Sequence, residues 1–438
     1  MLHFIQFEIK NLLRTPFFGI VSILLLGFIL FVTYNGKKRV DNQLLAIETV
    51  KNSETEFYDK HKTLLDSIEK GLRKAPPQWF KNPENPLPIG AFRGAGSYAI
   101  LTPAPLSAIS TGQSDIFPTY TKVAVGNLNA GKDNDNFENP FNTAIGQFDL
   151  AFVLGFIFPL LIIAFSYNLL SAEREQGTLR LLLSIPLNIN VLLFNKIVFR
   201  YLLLLSISFF WLVISFVIFG ISISNSAFLS FILAVGAYSF VWFLLSFAVN
   251  LLAKSSATNA MILLGCWLFF AFIVPSTVNM LAGSWYPVPS RVEFVTAQRE
   301  IDKQVEQEKE KILADFYAKN TQFKRPTSEG EKTWKDWWRE GFAEDNYALQ
   351  LKNNLQKQYA EKANAQRNFA NGFQYFSPTI LFQNTLNKIA ATDTETYLNF
   401  QKETENFERK WTAYFETKFM KDEKMTVKDF ESFPKFEK

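Results

Sequence analysis

The chain has 438 residues, of which 48% are apolar and 46 are Phe, and a formal net charge of +4. The apolar residues are clumped into windows of about 20 that lack Asp, Glu, Lys and Arg, which read as membrane-spanning helices and exclude an ordinary soluble enzyme. A single cysteine and two distant histidines, His3 and His61, exclude a disulfide framework and a zinc site, and so small a net charge gives no sign of a nucleic-acid partner.

In chain order, the first element is residues 1–15. Leu2, Ile5, Ile9, Leu12 and Leu13 recur at helical spacing, with His3, Gln6, Lys10 and Arg14 on another face. This pattern predicts an interfacial helix along the cytoplasmic leaflet, and an early start of the first span would give the same pattern. Pro16 then marks the bend into the first span, residues 16–36. Residues 37–148 form a first exterior insertion. Arg39 to Lys74 lacks proline and is expected to continue the first span as a helix. From Pro76 to Pro140 lie nine of the chain's 18 prolines, which predicts a compact, irregular or β-containing cap. Gly126 to Lys132 matches GxxxxGK, but Asp133 stands where a phosphate-binding loop needs Ser or Thr, and a turn-like DNDNFENP follows. Nucleotide binding there is not expected.

Residues 149–282 hold spans two to five, in the apolar runs Leu150–Leu170, Tyr201–Ile223, Ala227–Ala253 and Ala257–Leu281. None of the runs contains Asp, Glu, Lys, Arg or His, which argues against an ion-driven carrier. Their mild polar residues, among them Ser166, Ser208, Ser239, Asn250 and Asn259, suit hydrogen bonding between helices. Pro159 and Pro275 are expected to kink their spans. The charges Lys10, Arg14, Arg174, Arg180, Lys196, Arg200 and Lys254 put the N-terminus in the cytoplasm and both insertions outside. Lys37, Lys38 and Arg39, directly after the first span, run against that assignment.

The sharpest local feature follows span two, at residues 172–187. A charged turn, Gly177 and a short amphipathic stretch ending at Pro186 would lie on the membrane surface, with Leu179, Leu182 and Leu183 buried and Glu173, Glu175 and Arg180 turned to a soluble partner. A plain solvated loop with positive anchors fits the same residues. Residues 283–438 form the second insertion, with helices expected over Arg291–Lys319, Ala343–Asn371 and Thr385–Met420, separated by Pro326 and Pro378. Trp334, Trp337 and Trp338, with Lys335 and Arg339, suit packing of a helix against the cap, a glycan or lipid headgroup being the other use. No Ser-His-Asp or Cys-His set can be assembled in either insertion.

Residues 146–187, GQFDLAFVLGFIFPLLIIAFSYNLLSAEREQGTLRLLLSIPL, resemble the permease subunits of ABC-2-type transporters, with the Glu-x-Glu-x-Gly-Thr signature intact at Glu173, Glu175, Gly177 and Thr178. Gly112 to Pro118 (GQSDIFP), Ser377 to Asn387 (SPTILFQNTLN) and Ala390 to Asp393 (AATD) resemble a bacterial subfamily with a large extracytoplasmic domain of unknown function. The resemblance implies an all-α integral membrane protein of the bacterial inner membrane, a helix bundle carrying a mainly helical extracytoplasmic domain. It implies a permease that is not itself an enzyme and needs no cofactor. A separate cytoplasmic ABC ATPase would drive it, docking on Glu173, Arg174, Glu175, Gly177, Thr178, Leu179, Arg180 and Pro186. It further implies a homodimer, or a heterodimer with a second permease, embedded in membrane lipid. The alternative is a membrane-anchored scaffold or mechanical transmitter that passes no substrate. The family has six spans where five are read here, so either the last span is lost or truncated or the chain is a fragment, and a poorly packed tail from Lys421 is expected.

Overall fold

The computed structural model describes residues 16–91, 96–125, 148–179, 189–223, 226–252, 254–324 and 332–437. The stretch expected to form an N-terminal interfacial helix, the GxxxxGK stretch and residues 180–188 lie outside the described residues.

Helix α1, Pro16–Glu69, is one rod of 54 residues, about 80 Å long at helical rise. Val21, Leu25, Ile29 and Val32 are buried at helical spacing while Ile20, Ile23, Leu24 and Phe31 are exposed, so one stripe of the first half packs and the other is left for lipid. Where the rod leaves the bundle, Gly36 rests on the carbonyl of Ala108, and a Cβ there would come within 2.0 Å of that oxygen. The rod ends where Gly71 adopts φ +69, with Leu72 N–H bonded to Ser67 O and Gly71 N–H to Ile68 O, a left-handed stop suited to glycine.

Among the described residues, five helices are long and apolar enough to cross a membrane. After α1, span 2 begins with a helical turn at Leu150–Phe152, passes through a π-helical turn at Val153–Ile157 and continues as α2, Phe158–Ser166. The short helix α3 follows at Ser171–Glu175. Span 3 lies in α4, Ile189–Ile218, and span 4 in α5, Ser226–Leu251. Span 5 is α6, Ser256–Leu268, a π-helical turn at Phe269–Ile273, and α7, Val274–Trp285. The two expected kinks are thus π-turns beside Pro159 and Pro275. Proline lacks the N–H that its preceding turn needs, so carbonyls are left over. Side chains from elsewhere take them: Tyr238 Oη donates to Gly155 O at 2.6 Å, Trp267 Nε1 to Phe156 O at 3.1 Å, and Ser377 Oγ to Phe270 O at 2.6 Å.

Outside the spans, strands β1, Ser97–Ile100, and β2, Tyr120–Val123, pair antiparallel with Ser97 opposite Val123. The second polar stretch folds as α8, Arg291–Gln307; α9, Lys309–Lys319; α10, Trp334–Gly372; α11, Pro378–Ala390; and α12, Thr394–Met420. The two insertions share one apolar core, in which Leu65, Leu87, Ala99 and Val123 meet Phe400, Trp411, Phe415 and Phe419 of α12. Trp411 Nε1 donates to Gly90 O at 3.2 Å, and a Cβ on Gly90 would strike the Phe415 ring. Trp79 and Trp334 stack with centroids 5.1 Å apart, which is the packing of helix against cap that the tryptophans suggested; Trp337 stays 62% exposed.

Three expectations change. The expected helix Thr385–Met420 is two helices, parted at Ala391, whose φ of 52 is left-handed, and restarted by Asp393 accepting from the N–H groups of Glu395 and Thr396. The tail from Lys421 is packed, not loose: Met425 and Phe433 are buried, Phe436 lies against Phe400 and Phe407, and Met425 N–H bonds to Glu84 O at 2.8 Å. Its phenylalanines supply apolar surface that the charge count concealed, while Lys418 pairs with Asp429 at 2.8 Å. Third, the second polar stretch does not keep wholly apart from the bundle. Phe382, Leu386 and Ala390 of α11 belong to the same core as the spans. The Phe382 ring stacks on Tyr238 at 4.2 Å, near the midpoint of span 4.

Candidate coupling site at the end of span 2

The α-helix of span 2 stops at Ser166 and a turn occupies residues 167–170. A helix that stops leaves its last carbonyls without intrahelical donors. Here three successive ones are taken by three different spans. Arg200 of span 3 donates to Phe165 O. Asn250 of span 4 donates to Ser166 O at 2.8 Å, joined by Ser246 Oγ at 3.1 Å. Asn259 of span 5 donates to Tyr167 O at 3.1 Å. Asn250 and Asn259 are essentially fully buried, where a missing partner is costly, so these bonds define how the four helices meet.

The acidic signature follows on α3. Glu173 Oε1 pairs with Lys196 Nζ of span 3 at 2.8 Å, and the lysine side chain is only 8% exposed. Thr178 Oγ1 donates back to the Glu173 carboxylate and lies 3.1 Å from Glu173 O. Gly177 turns the chain with φ +76, a left-handed conformation that glycine adopts without a Cβ clash, and this brings Thr178 under Glu173. Glu175 accepts from Ser256 N–H at 2.7 Å and from Ser256 Oγ at 2.8 Å. Its carboxylate therefore sits at the N-terminus of α6, where the helix dipole favours negative charge. Arg174, Glu175, Gln176 and Gly177 are exposed, and Leu179 is partly buried against the bundle core.

The signature residues are thus brought together, but Glu173 points into the bundle and not toward a soluble partner. Glu175 is exposed and yet held by span 5. Arg180, Leu182, Leu183 and Pro186 lie outside the described residues. Sequence reasoning missed Lys196, Arg200 and Ser256 as parts of this site, reading the two basic residues only as topology anchors. Their spacing of four puts them on one face of a helix, a usable signal.

These features define a polytopic helical membrane protein whose loop after span 2 is fastened to its other spans. The profile of the ABC-2 family transporter proteins matches residues 117–284, and that of a domain of unknown function (DUF3526) matches residues 291–438. No curated protein and no solved structure matches the chain. Residues 117–284 are thus similar to the ABC-2 family transporter proteins, and a further domain, similar to one of unknown function, follows at residues 291–438.

Proposed function

We propose that the chain is the permease subunit of an ATP-driven transporter, worked by a separate cytoplasmic ATPase that docks on residues 172–187. The observation that carries this reading is the double anchorage of the acidic signature, Glu173 to Lys196 of span 3 and Glu175 to Ser256 of span 5. A force on the exposed side of the turn, at Arg174 and Gln176, passes into two spans through charge-assisted bonds and into span 4 through the carbonyl of Ser166. Such contacts are stronger than neutral ones, and a stiff linkage of this kind is what coupling a soluble motor to a bundle requires.

In this reading the N-terminus and the loop face the cytoplasm, and both insertions face outward across the bacterial inner membrane. The basic residues after span 1 then have structural uses: Lys37 pairs with Asp41 at 2.6 Å, and Arg39 donates to the carbonyls of Ser107 at 2.6 Å and Ser110 at 3.0 Å. The permease works as a dimer, with an identical chain or a second permease, and ATP hydrolysis belongs to the partner. The test is recovery of an ABC ATPase on the tagged full-length chain from solubilised membranes. The double change Arg174→Ala and Gln176→Ala, at matched insertion, is expected to reduce recovery. Unchanged recovery would overturn the docking assignment.

One observation favours the second reading, a mechanical transmitter that moves its exterior domain without passing substrate. Helix α11 of that domain is packed among the spans, so bundle motion is handed directly to it. ATP-dependent flux from vesicles holding only the permease and its ATPase would exclude this second reading.

A further inference from the structure

The motifs GQSDIFP and SPTILFQNTLN with AATD take no part in the coupling site, yet they meet in one junction. Gly112 has φ +48 and faces the carbonyl of Thr392, so that a Cβ would come within 2.3 Å of its oxygen. Gln113 N–H bonds to that same carbonyl at 2.7 Å. Ser110 Oγ donates to Asn387 Oδ1 at 2.5 Å, and Phe117 stacks on Tyr397 at 5.2 Å. At the other end of α11, Ser377 and Thr379 hold span 5 and span 4 through Phe270 O and Tyr238 Oη. The two motifs therefore seat α11 in the bundle, one motif supplying the helix and the other gripping its outer end.

Charge in this junction does not balance. One guanidinium, Arg39 of α1, faces two carboxylates, Asp115 of the first motif and Asp149 at the start of span 2. Among the described residues, the other titratable groups named with these are Tyr397 of α12, which interacts with both Arg39 and Asp115, and Asp393, which interacts with Tyr397. The two carboxylates are not equivalent. Burial raises the proton affinity of Asp149 as well, but Asp149 accepts from the backbone N–H groups of Thr111 and Phe152, each at 2.7 Å, and these donors oppose the rise by favouring its ionised form. Asp115 has a buried Oδ2 with no hydrogen-bond partner. A carboxylate oxygen sealed from water without a donor is costly, whereas a carboxylic acid there carries no charge.

We propose that Asp115 is a proton-binding site that latches α11 into the bundle: it holds a proton while α11 is seated and releases it to the exterior when the junction opens. Protonation leaves Arg39 balanced by Asp149 alone. Loss of the proton adds one uncompensated negative charge. Burial, the largest influence, raises the proton affinity of Asp115 above the ordinary carboxylate range, Arg39 opposes this, and Asp149 adds to it. The sign follows. A carboxyl whose affinity is raised in the seated state favours seating at low pH, and that contribution is lost as pH rises through the seated-state value. The seating equilibrium therefore moves toward the open state as pH rises through that window.

The experiment uses the full-length chain in lipid vesicles with Cys266→Ser. Leu386→Cys reports on α11, because Leu386 is fully buried in the bundle, and Lys388→Cys, exposed on the same helix, corrects for thiol ionisation. A membrane-impermeant maleimide is expected to label position 386 severalfold faster, relative to 388, as pH rises above the ordinary carboxylate range. Asp115→Asn, a neutral carboxamide of the same size, is expected to hold labelling at the low rate across that range. The same steep profile in Asp115→Asn would overturn the proposal, as would an infrared carboxylic-acid band that Asp115→Asn leaves unchanged at every pH. The inference rests on the outward placement of the junction proposed above. Failure of that placement is distinguishable, because position 388 would then be labelled only after the vesicles are opened.

Discussion

Lys196→Ala is the sharpest test of the site at the end of span 2. The substitution leaves the Glu173 carboxylate with only Thr178 as its donor, in a place where the lysine it lost was almost completely sheltered. Removing one partner of a well-buried pair costs about 3–5 kcal/mol. Glu173 is 25% exposed, so water offsets part of this and about 2 kcal/mol is the better expectation. Glu173→Ala leaves the lysine unpaired and is expected to cost a similar amount. The double variant removes both charges, so its loss falls short of the sum by about 1–2 kcal/mol, the coupling between the two residues. Unfolding in mixed micelles measures that cycle. A second readout is local. Opening of the turn becomes easier by about 2 kcal/mol, and tryptic cleavage at the exposed Arg174 accelerates roughly thirtyfold if opening precedes cleavage. An additive cycle, with cleavage at Arg174 unchanged, would refute the claim that Glu173 and Lys196 fasten the turn to span 3.

Other outcomes follow from the same structure. Arg174→Cys and Lys254→Cys are expected to react from the cytoplasmic side, and Gln113→Cys and Trp337→Cys from outside, on a Cys266→Ser background; labelling of position 113 only after opening the membrane would reverse the topology. Phe433→Ala removes a ring packed against Tyr58, Trp411 and Phe415, and should destabilise the domain outside the spans by about 3 kcal/mol, read by thermal unfolding; no shift would mean that the tail does not belong to that core. Burial, reinforced by Glu344 and Glu416 against the opposing Lys352, pushes the Asp345 carboxyl up to about 6, so the α10 region should be more stable below that pH and lose the contribution as pH rises through it. Hydrogen exchange in α10 at two pH values checks this, and Asp345→Asn should abolish the difference. Tyr238→Phe leaves Gly155 O without its donor in the apolar core and should cost about 1–2 kcal/mol, read by unfolding in mixed micelles.

The alternation of apolar runs with polar stretches determined the five spans, because only a continuous apolar helix can cross hydrocarbon. The proline-free run after the first span likewise foretold its extension as a rod, and the prolines beyond it foretold a cap with little regular structure, in which β1 and β2 pair. The signature at Glu173 to Thr178 was visible as a motif. Its partners were not, since Lys196 and Ser256 lie 23 and 81 residues from Glu173 and Glu175 and meet them only when spans 3 and 5 pack beside span 2. The same holds for α11. Its 13 residues are too short to cross a membrane, and no local pattern distinguishes a helix covered by a soluble core from one covered by other spans. The tail was misread because composition counts charges without seeing which of them pair, and Phe433 and Phe436 found their core only through residues far away in the chain. What tertiary structure alone decided is therefore where each polar group finds its partner: a span needs only its own sequence to be apolar, whereas a buried carboxylate or an interrupted helix depends on neighbours that the fold must bring to it.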